Sequence, residues 1–208
     1  MARENELHFS SEEETLLRNF LKSLILEKGE IKEGGILDVT GFLNHQIDPT
    51  LMKLFGQVVS GKFKNLQPTK VLTAASSGIA LGLNAAIGLR IPCVFARTDT
   101  PITFGEVWRS AGPSHTKGGE VFYNIDCRFL GKGDRVLIVD DFLATGATIQ
   151  CLIEICNKAK AEIKGIAVAI EKAFEGGRER LTGLLGDQIP IYSVVIIEAM
   201  DSKQLVFR

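Results

Sequence analysis

The densest chemistry in this chain lies in residues 135–150. Four apolar residues, Val136 to Val139, run into two adjacent carboxylates, Asp140 and Asp141, and the small, hydroxylated stretch Ala144-Thr145-Gly146-Ala147-Thr148 follows. Ionised carboxylates only accept hydrogen bonds, which suits them to the hydroxyls of a sugar. Small residues let the backbone approach a ligand, and the free N–H groups at a helix start attract phosphate. Together these residues predict a sugar-phosphate site. A plainer reading exists, with acids capping the next helix and Thr-Gly making a turn, but two acids, a glycine and two threonines packed behind one apolar run favour a ligand.

Such a site needs a sheet edge to stand on. A continuous apolar run before the acids predicts a strand buried on both faces, and open α/β sheets bind ligands at the C-terminal ends of such strands. The surrounding pattern agrees. Residues 70–75 read as a strand, Ser76-Ser77-Gly78 as a turn and residues 79–88 as a helix. Strands are predicted at 91–96, 121–129, 164–170 and 191–197, with helices at about 147–160 and 173–185 and a terminal apolar Leu205-Val206-Phe207. Strand–helix alternation of this kind argues for a mostly parallel α/β sheet. Upstream, Ser11 and Glu14 have capping-box spacing ahead of Leu16, Leu17, Phe20, Leu21, Leu24 and Ile25, and Asp48-Pro49 is a cap followed by a first-turn proline. Residues 98–119, with Pro101, Pro113 and several glycines, lack periodicity and are expected to form a mobile excursion.

Composition bounds the alternatives. A 208-residue chain that is 45% hydrophobic makes one ordinary domain with a substantial core. A net charge of −1 gives no reason to expect nucleic-acid binding. The polar, acidic start Met1-Ala2-Arg3-Glu4-Asn5-Glu6 does not read as a signal peptide, and no apolar run approaches a membrane span. Cys93, Cys127, Cys151 and Cys156 lack metal-ligand spacing and are expected to be reduced thiols of a cytoplasmic protein.

Five segments together resemble a known family. They are Phe42-Leu43-Asn44-His45-Gln46-Ile47-Asp48-Pro49, Ser76-Ser77-Gly78-Ile79-Ala80, Val94-Phe95-Ala96-Arg97, the stretch at 140–148, and Ile170-Glu171-Lys172-Ala173-Phe174. The stretch at 140–148 looks like the phosphoribosyl-diphosphate (PRPP) motif of the type I phosphoribosyltransferases, and the wider set resembles the xanthine phosphoribosyltransferases. The resemblance implies the type I fold: a mostly parallel sheet flanked by helices, a small hood subdomain and a mobile loop. It divides the single domain 1–208 into an N-terminal extension (about 1–30), a hood (about 31–48 plus the C-terminal segment) and a core (about 50–198).

The resemblance also implies roles. Asp140 and Asp141 would hold the ribose 2′- and 3′-hydroxyls, while Ala144, Thr145, Gly146, Ala147 and Thr148 would wrap the 5′-phosphate. Ser76, Ser77, Gly78 and Arg97 would complete the PRPP site, and Lys117, in the excursion, would meet the pyrophosphate, with His115 beside it as a possible proton donor. Leu37, Asn44, Phe142 and Lys172 would form the purine site, Phe142 against the ring face. An ammonium at Lys172 favours the carbonyls of xanthine over an amino group. The implied reaction transfers phosphoribosyl from PRPP to xanthine with Mg²⁺ carried by PRPP, in a homodimer with no nucleic-acid or membrane partner.

Two positions depart from the family pattern. Ala75 stands where the family has a glutamate, and Thr98 where it has a lysine. Ala144 stands where hypoxanthine–guanine relatives carry an aspartate proposed as general base. The alternatives are an adenine-type or other purine transferase, and a non-catalytic PRPP- or nucleotide-binding regulator or partner subunit. The short acidic N-terminal segment is too small for the DNA-binding module that such regulators add.

Overall fold

The computed structural model describes residues 11–113, 119–201 and 204–208. Its centre is a six-stranded sheet in the order β10-β9-β8-β7-β3-β4, in which every neighbouring pair is parallel except β10 against β9. The strands are β3 (Lys70–Ala74), β4 (Cys93–Ala96), β7 (Arg135–Leu143), β8 (Glu162–Lys172), β9 (Ile191–Met200) and β10 (Leu205–Phe207).

Alternation along β7 explains why its apolar run is unbroken. Leu137 and Val139 enter one core with α1 (Ser11–Lys28), α2 (Pro49–Phe63) and α3 (Ile79–Leu89), whereas Val136 and Ile138 enter a second core with α4 (Ala147–Ala159) and α5 (Gly177–Leu185). Helices cover both faces, so each side chain of the run is buried whichever way it points.

From β3 the chain crosses through α3 to β4 on one side, and from β7 it crosses through α4 to β8 on the other. Adjacent strands whose crossovers diverge leave a crevice between their C-terminal ends, the place where open α/β sheets bind ligands. Here that crevice lies between Ala74 and Asp140.

Local chemistry accounts for the helix starts. The Asp48 carboxylate accepts from the amides of Thr50 and Leu51, and Pro49 occupies the first turn, where its missing N–H costs nothing. In α1, Leu17, Leu21, Leu24 and Ile25 form the buried stripe, but Leu16 is exposed. Arg18 Nε donates to the Val194 carbonyl of β9 at 3.1 Å, and Glu14 pairs with Lys62 of α2 at 2.6 Å. The N-terminal helix therefore packs on α2 and β9 as part of the first core.

Two antiparallel ribbons sit outside the sheet. β1 (Glu30–Lys32) pairs with β2 (Ile36–Asp38), and one turn of π-helix, Thr40–Asn44, follows. β5 (Val107–Pro113) pairs with β6 (Glu120–Asp126). Part of the expected excursion over 98–119, Val107–Pro113, is thus strand. Ser110 Oγ donates to Glu154 of α4 at 2.6 Å, and Trp108 Nε1 to the Leu130 carbonyl at 2.8 Å. These cross-chain bonds stand in for the alternation that the segment lacks. His115 and Lys117 lie outside the described residues.

Candidate functional site

At the crevice the backbone opens a cleft of about 420 Å³. Its floor is Asp140, Asp141 and Phe142 from the end of β7, and one wall is the loop Ala144–Thr148 leading into α4. Ala74, Ala75 and Ser77 from the end of β3, with Thr98, form the other side. Pro113, Val121 and Tyr123 of the β5–β6 ribbon close a third.

The two carboxylates differ in setting. Asp141 takes three donors and keeps room for a fourth: its Oδ1 accepts from Ser77 Oγ at 3.1 Å and from the Phe142 amide at 3.0 Å, and its Oδ2 accepts from Asn44 Nδ2 at 2.9 Å. Asp140 is 3% exposed and accepts from the Asp141 amide at 3.0 Å. Burial, and secondly the neighbouring Asp141 carboxylate, push the Asp140 carboxyl well above the usual carboxylate range. The remaining acceptor capacity of two carboxylates on the floor of a cleft is what a pair of ribose hydroxyls can fill.

Backbone packing shapes the rest. Gly78 lies so close to the carboxylates that a Cβ there would stand 2.8 Å from Asp140 Oδ1, which is why the turn after β3 needs glycine. Gly146 has φ +80° and begins α4, placing the first free amides of that helix at the cleft. A Cβ at Gly177, the first residue of α5, would collide with the Ala144 carbonyl oxygen and lie 2.9 Å from the Gly146 nitrogen, so α5 buttresses the loop from behind. Tyr123 OH lies 3.4 Å from Thr148 Oγ1, and burial pushes its phenol up, leaving a neutral donor beside the helix start.

Of the residues expected for a purine, Phe142 is in the cleft lining, Asn44 and Lys172 stand behind lining residues, and Leu37 is in the core. Phe142 lines the cleft, and Lys172 Nζ lies 5.9 Å from its ring centroid. Lys172 also donates to the Gly35 carbonyl at 3.0 Å, tying the end of β8 to the β1–β2 turn. Asn44 reaches the floor through its bond to Asp141, 97 residues away in sequence. Leu37 is 5% exposed and belongs to the first core rather than the lining.

Not all expected residues converge. Arg97 is absent from the lining, and its guanidinium grips Asp99 at 2.8 and 2.9 Å. Ser76 is exposed outside the lining, while Gly78 acts through its packing. Both departures, Ala75 and Thr98, face the cleft at the ends of β3 and β4, so the side opposite loop 144–148 carries an alanine and a hydroxyl. Sequence reasoning missed Tyr123, Val121 and Pro113, because nothing local marks a ribbon residue that reaches a cleft only by folding back over α4.

Comparison with known proteins agrees with this geometry. The model of the phosphoribosyl transferase domain matches residues 44–197. A xanthine phosphoribosyltransferase from Listeria innocua is 40% identical over 190 residues, covering 90% of this chain and 96% of that protein. One from Oenococcus oeni is 40% identical over 193 residues, 92% of each. Among solved structures, adenine phosphoribosyltransferase from Rhodothermus marinus superposes with a TM-score of 0.71 at 25% identity, covering 88% of this chain and 99% of that one. The Giardia lamblia APRTase complexed with 9-deazaadenine gives 0.72 at 26%, covering 88% and 98%.

Proposed function

The chain belongs to the phosphoribosyltransferase family, and we propose that it transfers the 5-phosphoribosyl group of PRPP to xanthine, giving xanthosine 5′-monophosphate and pyrophosphate. The observation that carries this reading is a single cleft joining a carboxylate pair, a phosphate loop at a helix start and an aromatic face with an ammonium beside it. Relatives 40% identical over nine-tenths of the chain support xanthine as the base.

The chemistry needs no covalent nucleophile. A purine nitrogen forms its bond to the ribose anomeric carbon as the bond from that carbon to the pyrophosphate oxygen breaks. Asp140 and Asp141 hold the ribose hydroxyls, and the amides and threonines of residues 144–148 hold the 5′-phosphate, so the anomeric carbon is fixed for attack. Phe142 supports the ring face, and Lys172 donates to a purine carbonyl. Asn44, with its amide N–H engaged by Asp141, keeps its oxygen as an acceptor for a base N–H.

Mg²⁺ fits as a passenger of PRPP. Among the described residues no cluster of three or more His, Cys, Asp or Glu side chains could cage a metal, whereas Asp140 and Asp141 offer hard oxygen donors at the cleft floor. When bound with PRPP it neutralises charge on the leaving pyrophosphate. We read the working unit as a homodimer, and the four free thiols support a cytoplasmic location.

An adenine-type reading has the solved structures in its favour, but an ammonium beside Phe142 opposes the amino edge of adenine. One assay separates the possibilities: PRPP and Mg²⁺ with xanthine, guanine, hypoxanthine or adenine in turn. Xanthosine monophosphate should form fastest, and Lys172→Ala should raise the xanthine KM roughly tenfold while leaving the PRPP KM within about twofold. Tight PRPP binding without product from any base would overturn the enzyme, and equal damage to both KM values would remove Lys172 from the base site.

A further inference from the structure

A purine approaching Phe142 does not meet a free ammonium. Lys172 Nζ donates to the Gly35 carbonyl at 3.0 Å and lies 3.2 Å from Glu175 Oε1. Its side chain is 11% exposed, against 26% for Glu175. An ammonium has three N–H donors and no acceptor. One is committed to the β1–β2 turn, and the Glu175 carboxylate lies beside the ammonium as an ion pair that offsets its charge.

The position of Glu175 is held by its surroundings. Glu171, 2% exposed, receives both Nε (2.8 Å) and Nη2 of Arg178. Arg178 further donates to the Ile191 carbonyl at 2.9 Å and to Ser193 Oγ at 3.0 Å, and Ser193 donates to Glu171. This clamp closes residues 171–178 into a ring. Within the ring, Ala173–Glu175 form one 3₁₀ turn, with the Gly176 amide donating to the Ala173 carbonyl at 3.1 Å. Lys172 and Glu175 are thus brought together by a braced turn and not by a chance meeting of surface side chains.

We propose that Glu175 is a specificity-determining residue that acts through Lys172. Its carboxylate offsets the charge of the ammonium, so the site selects a neutral oxo edge and gives no general attraction to anionic bases. The inference rests on the phosphoribosyltransferase reading with Lys172 at the base. Xanthine makes the charge matter, because it is partly anionic near neutral pH whereas hypoxanthine is neutral. Carrying a charge-compensated lysine, the enzyme takes up the neutral form of xanthine.

The test is the nearly isosteric Glu175→Gln, which removes the charge and keeps an acceptor for Lys172. At mildly alkaline pH it should lower the xanthine KM about two- to fivefold, the range of a partly exposed ion pair. The hypoxanthine KM, the PRPP KM and kcat should stay where they are. In a Lys172→Ala background the same substitution should leave the xanthine KM unchanged, as a double-mutant cycle requires of two residues acting as one. An unchanged xanthine KM in Glu175→Gln, an equal fall for hypoxanthine, or the same fall without Lys172 would each overturn the proposal. Should the unmodified enzyme make no product from xanthine, the xanthine reading fails and takes this inference with it. Product from xanthine with no response to Glu175→Gln sinks only the role of Glu175.

Discussion

Asp140 shows what a binding site costs the residue that makes it. It sits 3% exposed at the end of β7 beside a second carboxylate, and burial and that neighbour raise its pKa above the ordinary 3.8. A carboxyl whose folded pKa lies above its unfolded value destabilises the fold when ionised. The penalty begins as pH rises past the unfolded value and is complete above the folded one. Asp140→Asn should therefore raise the melting temperature by about 2–4 °C at neutral pH, with the gain vanishing as pH falls toward the ordinary carboxylate range. If Asp140 holds ribose as proposed, the same substitution should weaken PRPP binding roughly 10- to 100-fold, because a charge-assisted bond would be lost. Calorimetry at two pH values and the PRPP KM check both halves; a lower melting temperature would mean that the ionised carboxylate is a stabilising member of the floor. Asp141, with three donors already on it, is the contrasting case, fixed by the fold as well as by any ligand.

Among the elements, the loop 144–148 depends on one that is remote from it in sequence. α5 presses its first residue against the Ala144 carbonyl and the Gly146 nitrogen, a contact that only a residue without a Cβ permits. Gly177→Ala should push the loop toward the cleft, raising the PRPP KM about tenfold and costing about 1–3 kcal/mol of stability, as overpacking does. Steady-state kinetics and urea unfolding report the two effects separately, and a stability loss with an unaltered PRPP KM would show that the loop holds its shape without α5. The elements also mark where periodicity stops being informative. Helices α1 and α2 follow most of their apolar spacing, Leu16 being exposed, and β7 follows its buried run. β5 does not, because its Ser110 and Trp108 answer to α4 and to Leu130 instead of to a sheet face of their own, whereas its partner β6 overlaps the strand expected at 121–129.

For the molecule as a whole, the N-terminal helix joins the first core. Leu17, Leu21, Leu24 and Ile25 are all at most 4% exposed there, alongside residues of α2, α3 and the sheet. Leu21→Ala should cost about 2–5 kcal/mol, the range for a fully buried leucine, in a single cooperative unfolding transition. Urea denaturation followed by two probes checks it, and a change below about 1 kcal/mol would make α1 a dispensable extension.

Local order along the chain was enough for most of the elements and for the chemistry of residues 140–148. A buried strand, two acids, small residues and a helix start are all neighbours in sequence, and each obeys a short-range rule. The residues proposed for the purine were legible only through resemblance, since Asn44 and Lys172 have no local feature that separates them from a turn residue and a strand-end lysine. Folding decided what those residues meet: Asn44 bonds to Asp141 across 97 positions, Lys172 is shared among Gly35, Glu175 and Phe142, and Arg97 turns to Asp99. Hydrogen bonds and charge pairs of that kind depend on distances in space. The divergence of crossovers at β3 and β7 sets those distances, and no spacing along the chain encodes them.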